Sequence, residues 1–118
     1  MKTSPNKALI IRLYEAFGRQ DAAGMAACYH PDARFWDPVF GELHGKEIGA
    51  MWAMLIEHGK GDIDVSFAGI FSDGDKGHTH WEARYPYSQT GRVVQNHVHA
   101  RFRFKDGLII EHTDHFSM

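Results

Sequence analysis

The sequence predicts one α+β domain in which three helices on the N-terminal side cover a curved, mainly antiparallel sheet. Three observations carry this. Apolar residues recur at helical spacing early in the chain, at Ile10, Leu13, Tyr14 and Phe17 and again at Ile48, Met51, Trp52 and Leu55. From Asp62 onward the apolar period changes to two, as in half-buried strands. Turn signals at Asp73-Gly74, Gln89-Thr90-Gly91 and Asp106-Gly107 then divide that half into consecutive strands joined as hairpins.

Taken in order, Ser4 followed by Pro5 is an N-cap and a favoured first-turn proline, and Gly18 stops the first helix. Asp21 can cap a second short helix from Ala22 to Cys28, ended by His30-Pro31 because the residue before proline avoids the α region. Ala33 to Asp37 reads as a short strand, with Phe35 and Asp37 on one face and Arg34 and Trp36 on the other, and Pro38 ends it. A loop, Gly41 to Gly45, precedes the third helix, which Gly59 and Gly61 close. Four strands follow, over Asp62–Phe71, Gly77–Tyr87, Arg92–Lys105 and Leu108–Phe116. The order α-α-β-α-β-β-β-β argues helices on one face of a sheet.

Composition narrows the function classes. The 118 residues fit one domain, 1–118, with 43% hydrophobic and 24% charged residues and a formal net charge of −2. That charge gives no long-range attraction to nucleic acid or anionic membrane, so neither is an expected partner. The single cysteine, Cys28, excludes an internal disulfide and reads as a small buried apolar residue. No apolar run approaches the ~20 residues that span a bilayer. The N-terminus leads into an amphipathic helix rather than a signal-peptide pattern, which makes the cytoplasm the expected compartment.

Strand parity sorts the polar residues. On the long strand Val94, Asn96, Val98, Ala100, Phe102 and Phe104 share the face expected under the helices, and His97, His99, Arg101 and Arg103 share the other. On the last strand parity leaves two answers. A plain two-residue turn at Asp106-Gly107 sets Phe104 opposite Ile109 and turns Ile109, Glu111, Thr113 and His115 inward, whereas a one-residue bulge turns His112 and Asp114 inward instead.

With this order in place the chain resembles the nuclear transport factor 2-like superfamily, in particular its SnoaL-like and ketosteroid isomerase-like members. The resemblance rests on Leu13-Tyr14-Glu15-Ala16-Phe17, the Asp21 turn, Tyr29-His30-Pro31-Asp32-Ala33, Asp37-Pro38, Gly45 and Phe102 to Ile109. It implies a cone-shaped α+β barrel with an apolar pocket between helices and sheet, and a homodimer through the outer sheet face. These motifs specify the fold far better than the activity. Some relatives continue past the last strand, so a further segment after Met118 is compatible with the resemblance.

In ketosteroid isomerases an aspartate followed by proline shuttles the proton, and Asp37-Pro38 matches that pattern. The oxyanion hole of that family does not carry over. Its tyrosine aligns with Leu13, Tyr14 lies about 100° further around the helix, and its second aspartate aligns with Ala100. SnoaL-like cyclases use an acid on the final strand, which Asp114 beside His112 resembles, and this favours the bulged register. Limonene epoxide hydrolase-like members need an Arg-x-Asp on the long strand, where the inner row here reads Asn96, Val98, Ala100.

The implied function is binding of a hydrophobic small molecule, without cofactor. An isomerase or polyketide cyclase-like lyase that abstracts a proton next to a carbonyl is one form of it. A non-catalytic ligand-binding or dimerisation domain is the other. The candidate catalytic residues are Asp37, Asp114 and His112, and the candidate substrate-binding residues are Tyr14, Phe17, Phe35, Trp52, Leu55, Trp81, Asn96 and Val98. Asp37 is either a base in an apolar pocket or a cap of the loop before the third helix. Asp114 and His112 are either an acid/base pair or a surface ion pair. Asn96 either polarises a carbonyl or bonds a neighbouring strand. Among the nine histidines, His78-Thr79-His80 and His97-Val98-His99 each set two imidazoles on one strand face, as metal sites can. No third ligand is evident in the sequence, the helical His-Glu-x-x-His spacing is absent, and no metal ligand is assigned.

Overall fold

The computed structural model describes residues 5–59, 63–86 and 92–116. The elements run α1 (Pro5–Gly18), α2 (Ala22–Ala26), β1 (Tyr29–Asp37), β2 (Gly41–His44), α3 (Lys46–Gly59), β3 (Asp64–Asp73), β4 (Lys76–Pro86), β5 (Val93–Lys105) and β6 (Leu108–Phe116). The strands form one sheet in the order β2-β1-β6-β5-β4-β3. Every pairing is antiparallel except β1 with β6. The sheet curves around the helices without closing, and β2 and β3 are its edges.

The helices lie where the periodicity puts them. Leu9, Ile10, Leu13, Tyr14, Ala16 and Phe17 of α1 are buried, as are Ile48, Met51 and Trp52 of α3, with Leu55 packed at the margin of the core. Asp21 caps α2, its carboxylate accepting the Gly24 N–H at 2.9 Å. Ser4, Gly61, Tyr87 and the Gln89-Thr90-Gly91 hairpin lie outside the described residues.

Three differences from the sequence reading bear on the site, beside shifts of one or two residues at the end of β3 and the starts of β4 and β5. The second helix ends at Ala26 rather than Cys28, and Cys28 lies buried in the turn after it. The next strand already begins at Tyr29, so His30-Pro31 does not stop a helix but falls in the early part of β1, where the register against β6 shifts between Tyr29 and Arg34. A proline fits there because an irregular stretch of strand lacks the ladder bond it cannot donate. The segment read as a loop, Gly41 to His44, is the edge strand β2, which folds back on β1 with Leu43 opposite Phe35. Gly45 then turns the chain into α3. Its φ is +53° and its N–H donates to the Ala33 carbonyl at 2.9 Å. A Cβ there would meet the Pro31 carbonyl oxygen at 3.0 Å.

The last hairpin decides what enters the interior. Asp106 (φ 54°) and Gly107 (φ 76°) form the two-residue turn, with Phe104 opposite Ile109. The register then slips by one residue, so Arg103 faces Glu111 and Ile110 is the extra residue. Beyond that bulge His112 and Asp114 turn inward opposite Phe102 and Ala100, while Glu111, Thr113 and His115 turn outward.

Candidate active site

Four strands and two helices converge on the two inward polar groups of β6. His112 and Asp114 are each 1% exposed. His112 Nε2 lies 2.7 Å from Asp114 Oδ1. On the other side of the ring, His112 Nδ1 lies 2.8 Å from Tyr29 Oη, which accepts the Trp52 indole N–H at 3.0 Å. The Trp81 indole N–H points at the same Asp114 oxygen from 3.5 Å. Trp52 occupies one of the tyrosine oxygen's lone pairs and leaves its single proton for His112 Nδ1. The hydrogen-bonded chain thus runs from Trp52 through Tyr29 and both ring nitrogens of His112 to Asp114.

Aromatic side chains enclose this network. Phe102 and Phe35 have ring centroids 4.4 and 4.9 Å from that of His112. Phe17, Trp52 and Trp81 pack against one another at 5.1 to 6.2 Å. Tyr14 lies 5.6 Å from Trp81, and its hydroxyl is buried without a hydrogen-bond partner. Burial, with the nearby Asp114 and Tyr29 adding to it, holds the Tyr14 hydroxyl well above the usual tyrosine range. Tyr29 is raised for the same first reason, against the lowering effect of the Trp52 hydrogen bond. Both phenols therefore keep their protons at neutral pH and can donate them in hydrogen bonds.

The fold thus brings together His112, Asp114, Tyr14, Phe17, Phe35, Trp52 and Trp81, with Val98 fully buried opposite Trp81. Leu55 sits at the edge of this group. Asn96 is on the inner row but half-buried opposite Ala83, and its amide donates to Tyr85 Oη at 3.4 Å. It belongs to the end of the sheet nearer residues 86 and 93 rather than to the aromatic cluster.

Asp37 is buried at the end of β1, and one of its oxygens, Oδ1, accepts the N–H groups of Val39 and Phe40 at 2.9 and 2.6 Å. This is the capping role, and the turn it closes joins β1 to β2. Burial raises the Asp37 carboxyl, the Phe40 and Val39 N–H groups work in the opposite direction, and Asp114 and His112 add a smaller raising and a smaller lowering effect.

Tyr29 was not among the residues singled out in the sequence. The sequence reading ends the second helix at Cys28 and starts the strand at Ala33, which leaves Tyr29 between them, and only a strand beginning at position 29 puts it on the same face as Ala33, Phe35 and Asp37. The available signal was its place in the Tyr29-His30-Pro31-Asp32-Ala33 motif.

The profile of the SnoaL-like domain matches residues 10–112. The chain belongs to the SnoaL-like domain family. No curated protein matches it by sequence. Among solved structures, this SnoaL-like chain is similar to Bal32a from a soil-derived mobile gene cassette, at 19% identity and a TM-score of 0.84, over 95% of this chain and 88% of that one. A nuclear transport factor 2-like protein of unknown function from Burkholderia pseudomallei has 22% identity and a TM-score of 0.81, over 98% and 92%. TerC, crystallised with polyporic acid, has 20% identity and a TM-score of 0.79, over 97% and 92%. At these identities the likeness establishes the fold alone. Among the described residues of this SnoaL-like chain, no helix is long and apolar enough to cross a membrane.

Proposed function

We propose that this SnoaL-like protein binds a hydrophobic carbonyl compound between helices and sheet and moves a proton next to the carbonyl. The observation that carries this reading is the buried His112–Asp114 pair, 2.7 Å apart within an aromatic enclosure. In the proposed reaction Asp114 takes the proton through the oxygen that does not bond His112, and the negative charge passes to the substrate carbonyl oxygen. Both ring nitrogens of His112 are engaged, by Tyr29 and by Asp114, so His112 positions the carboxylate. Tyr14 supplies a protonated, unpartnered hydroxyl for developing charge on the carbonyl oxygen. Asp37 is the second candidate base, acting through the oxygen that does not cap the turn. The ligand in the TerC structure supports a small-molecule site in this fold.

The test follows α-proton exchange of a hydrophobic cyclic ketone, 2-tetralone, in deuterated buffer by NMR. Exchange faster than the buffer background, lost in Asp114→Asn and reduced in His112→Gln, is the expected result. Exchange that survives in both Asp114→Asn and Asp37→Asn means the proton-transfer reading is wrong. A second reading is a non-catalytic binding domain, favoured by the unbroken run of hydrogen bonds from Trp52 to Trp81, which also suits a rigid wall. It predicts that tetralone binding, read by tryptophan fluorescence, persists without either carboxylate.

A further inference from the structure

The outer face of the sheet carries a cluster that the sequence left one ligand short. His80 and Glu82 project outward from β4 and His97 from β5, and register sets Glu82 directly opposite His97 and His80 opposite His99. One oxygen, Glu82 Oε1, lies 2.8 Å from His97 Nδ1 and 3.5 Å from His80 Nε2. The three ligand atoms all fall within 4.8 Å of one another, the one such group among the described residues. We propose that His80, Glu82 and His97 form a binding site for a divalent first-row transition metal such as Zn²⁺.

The donor set argues for this class of ion. Two imidazole nitrogens and one carboxylate suit zinc, nickel, copper or cobalt, whereas calcium and magnesium take oxygen ligands. Zn–N and Zn–O distances of about 2.0–2.2 Å place tetrahedral ligands roughly 3.3–3.5 Å apart, so side-chain rotations that move the ligand atoms by about an ångström close the group on a cation. Two imidazole nitrogens already converge on one carboxylate oxygen, at 2.8 and 3.5 Å. The backbone fixes the spacing, because two ligands stand two residues apart on one strand and the third is their cross-strand neighbour. The side chains are one-third to one-half exposed, which leaves the remaining coordination positions to water. The site lies on the opposite side of the sheet from His112 and Asp114, so it stands independently of the proposed reaction.

Isothermal titration calorimetry of the full chain, free of any histidine tag, with zinc chloride and separately with magnesium chloride tests this. The expected result is one zinc per chain, no magnesium heat, and affinity lower by about tenfold or more in Glu82→Gln and in His97→Ala. His115→Ala, an outward histidine on β6 outside the cluster, keeps the wild-type affinity. Circular dichroism confirms that each variant is folded, as expected for partly exposed positions. Absence of zinc binding overturns the proposal. So does zinc binding of equal strength in wild type, Glu82→Gln and His97→Ala, which assigns the heat to other histidines.

Discussion

Tyr29→Phe removes one oxygen atom, and the structure says what that atom does. It accepts the Trp52 indole N–H at 3.0 Å and donates to His112 Nδ1 at 2.8 Å. All three residues are buried, so the substitution strands a buried donor on Trp52 and a buried acceptor on His112. Each stranded group costs about 1–3 kcal/mol. Partial rearrangement reduces the sum, and a loss of roughly 2–4 kcal/mol is expected, a large part of the ~5–15 kcal/mol that holds a domain folded. At about 4 °C per kcal/mol for a chain of this size, the melting temperature falls by roughly 8–15 °C. The assays are thermal and urea unfolding by circular dichroism. Trp52→Phe completes a double-mutant cycle: its packing cost appears in both backgrounds and cancels, leaving a coupling of ~1 kcal/mol or more. Tyr14→Phe is the internal control. Its hydroxyl is buried without a partner, so its removal leaves stability unchanged or raises it. A cost for Tyr29→Phe below ~0.5 kcal/mol, with no coupling to Trp52, refutes the reasoning.

Two further predictions test other parts of the structure. Asp37 is raised in the folded protein, chiefly by burial. Its contribution to stability is therefore full below the ordinary carboxylate pKa and is lost as pH rises through the folded value. Asp37→Asn keeps an oxygen for the Val39 and Phe40 N–H groups, so it should stabilise the protein at pH 7 and not at pH 3, as read by urea midpoints at the two pH values. Gly45→Ala places a Cβ 3.0 Å from the Pro31 carbonyl oxygen at φ +53°. It should cost about 1–3 kcal/mol, whereas Gly18→Ala, at the end of α1 where a Cβ meets nothing within 4 Å, should be neutral or stabilising by up to ~1 kcal/mol. Equal effects at the two glycines contradict the strained turn.

How much of this was legible in the sequence depended on period. The faces of α1, α3, β4 and β5 were, because repeats of 3.6 and 2 extend over enough residues to fix them. The strand β2 was not: its four residues, Gly41–His44, hold only two periods of two, and Leu43 is half-buried only because it meets Phe35 across the pairing. Tyr29 was hidden by a proline that breaks helices in general and here lies in an irregular strand. The inward turn of His112 and Asp114 hung on the single extra residue Ile110. Local sequence does not dictate a bulge there, and resemblance to relatives chose between the two parities. Glu82 alternates with Trp81 and Ala83 along its strand, but its place beside His97 is a matter of cross-strand register, which a single chain does not display.

The parallel pairing of β1 with β6 has a consequence in time. Tyr29 and His112, which share a hydrogen bond, are separated by 83 positions. During synthesis the helices and the β1–β2 hairpin leave the ribosome long before β6 does, and β1 waits with one edge unpaired. During synthesis the interior polar network therefore completes only after β6 has emerged, and its Tyr29–His112 bond closes a long loop. A nascent chain halted before Leu108 has its aromatic residues and its helices but neither member of the buried pair. Such a chain exposes the β1 edge to any other chain able to supply a strand.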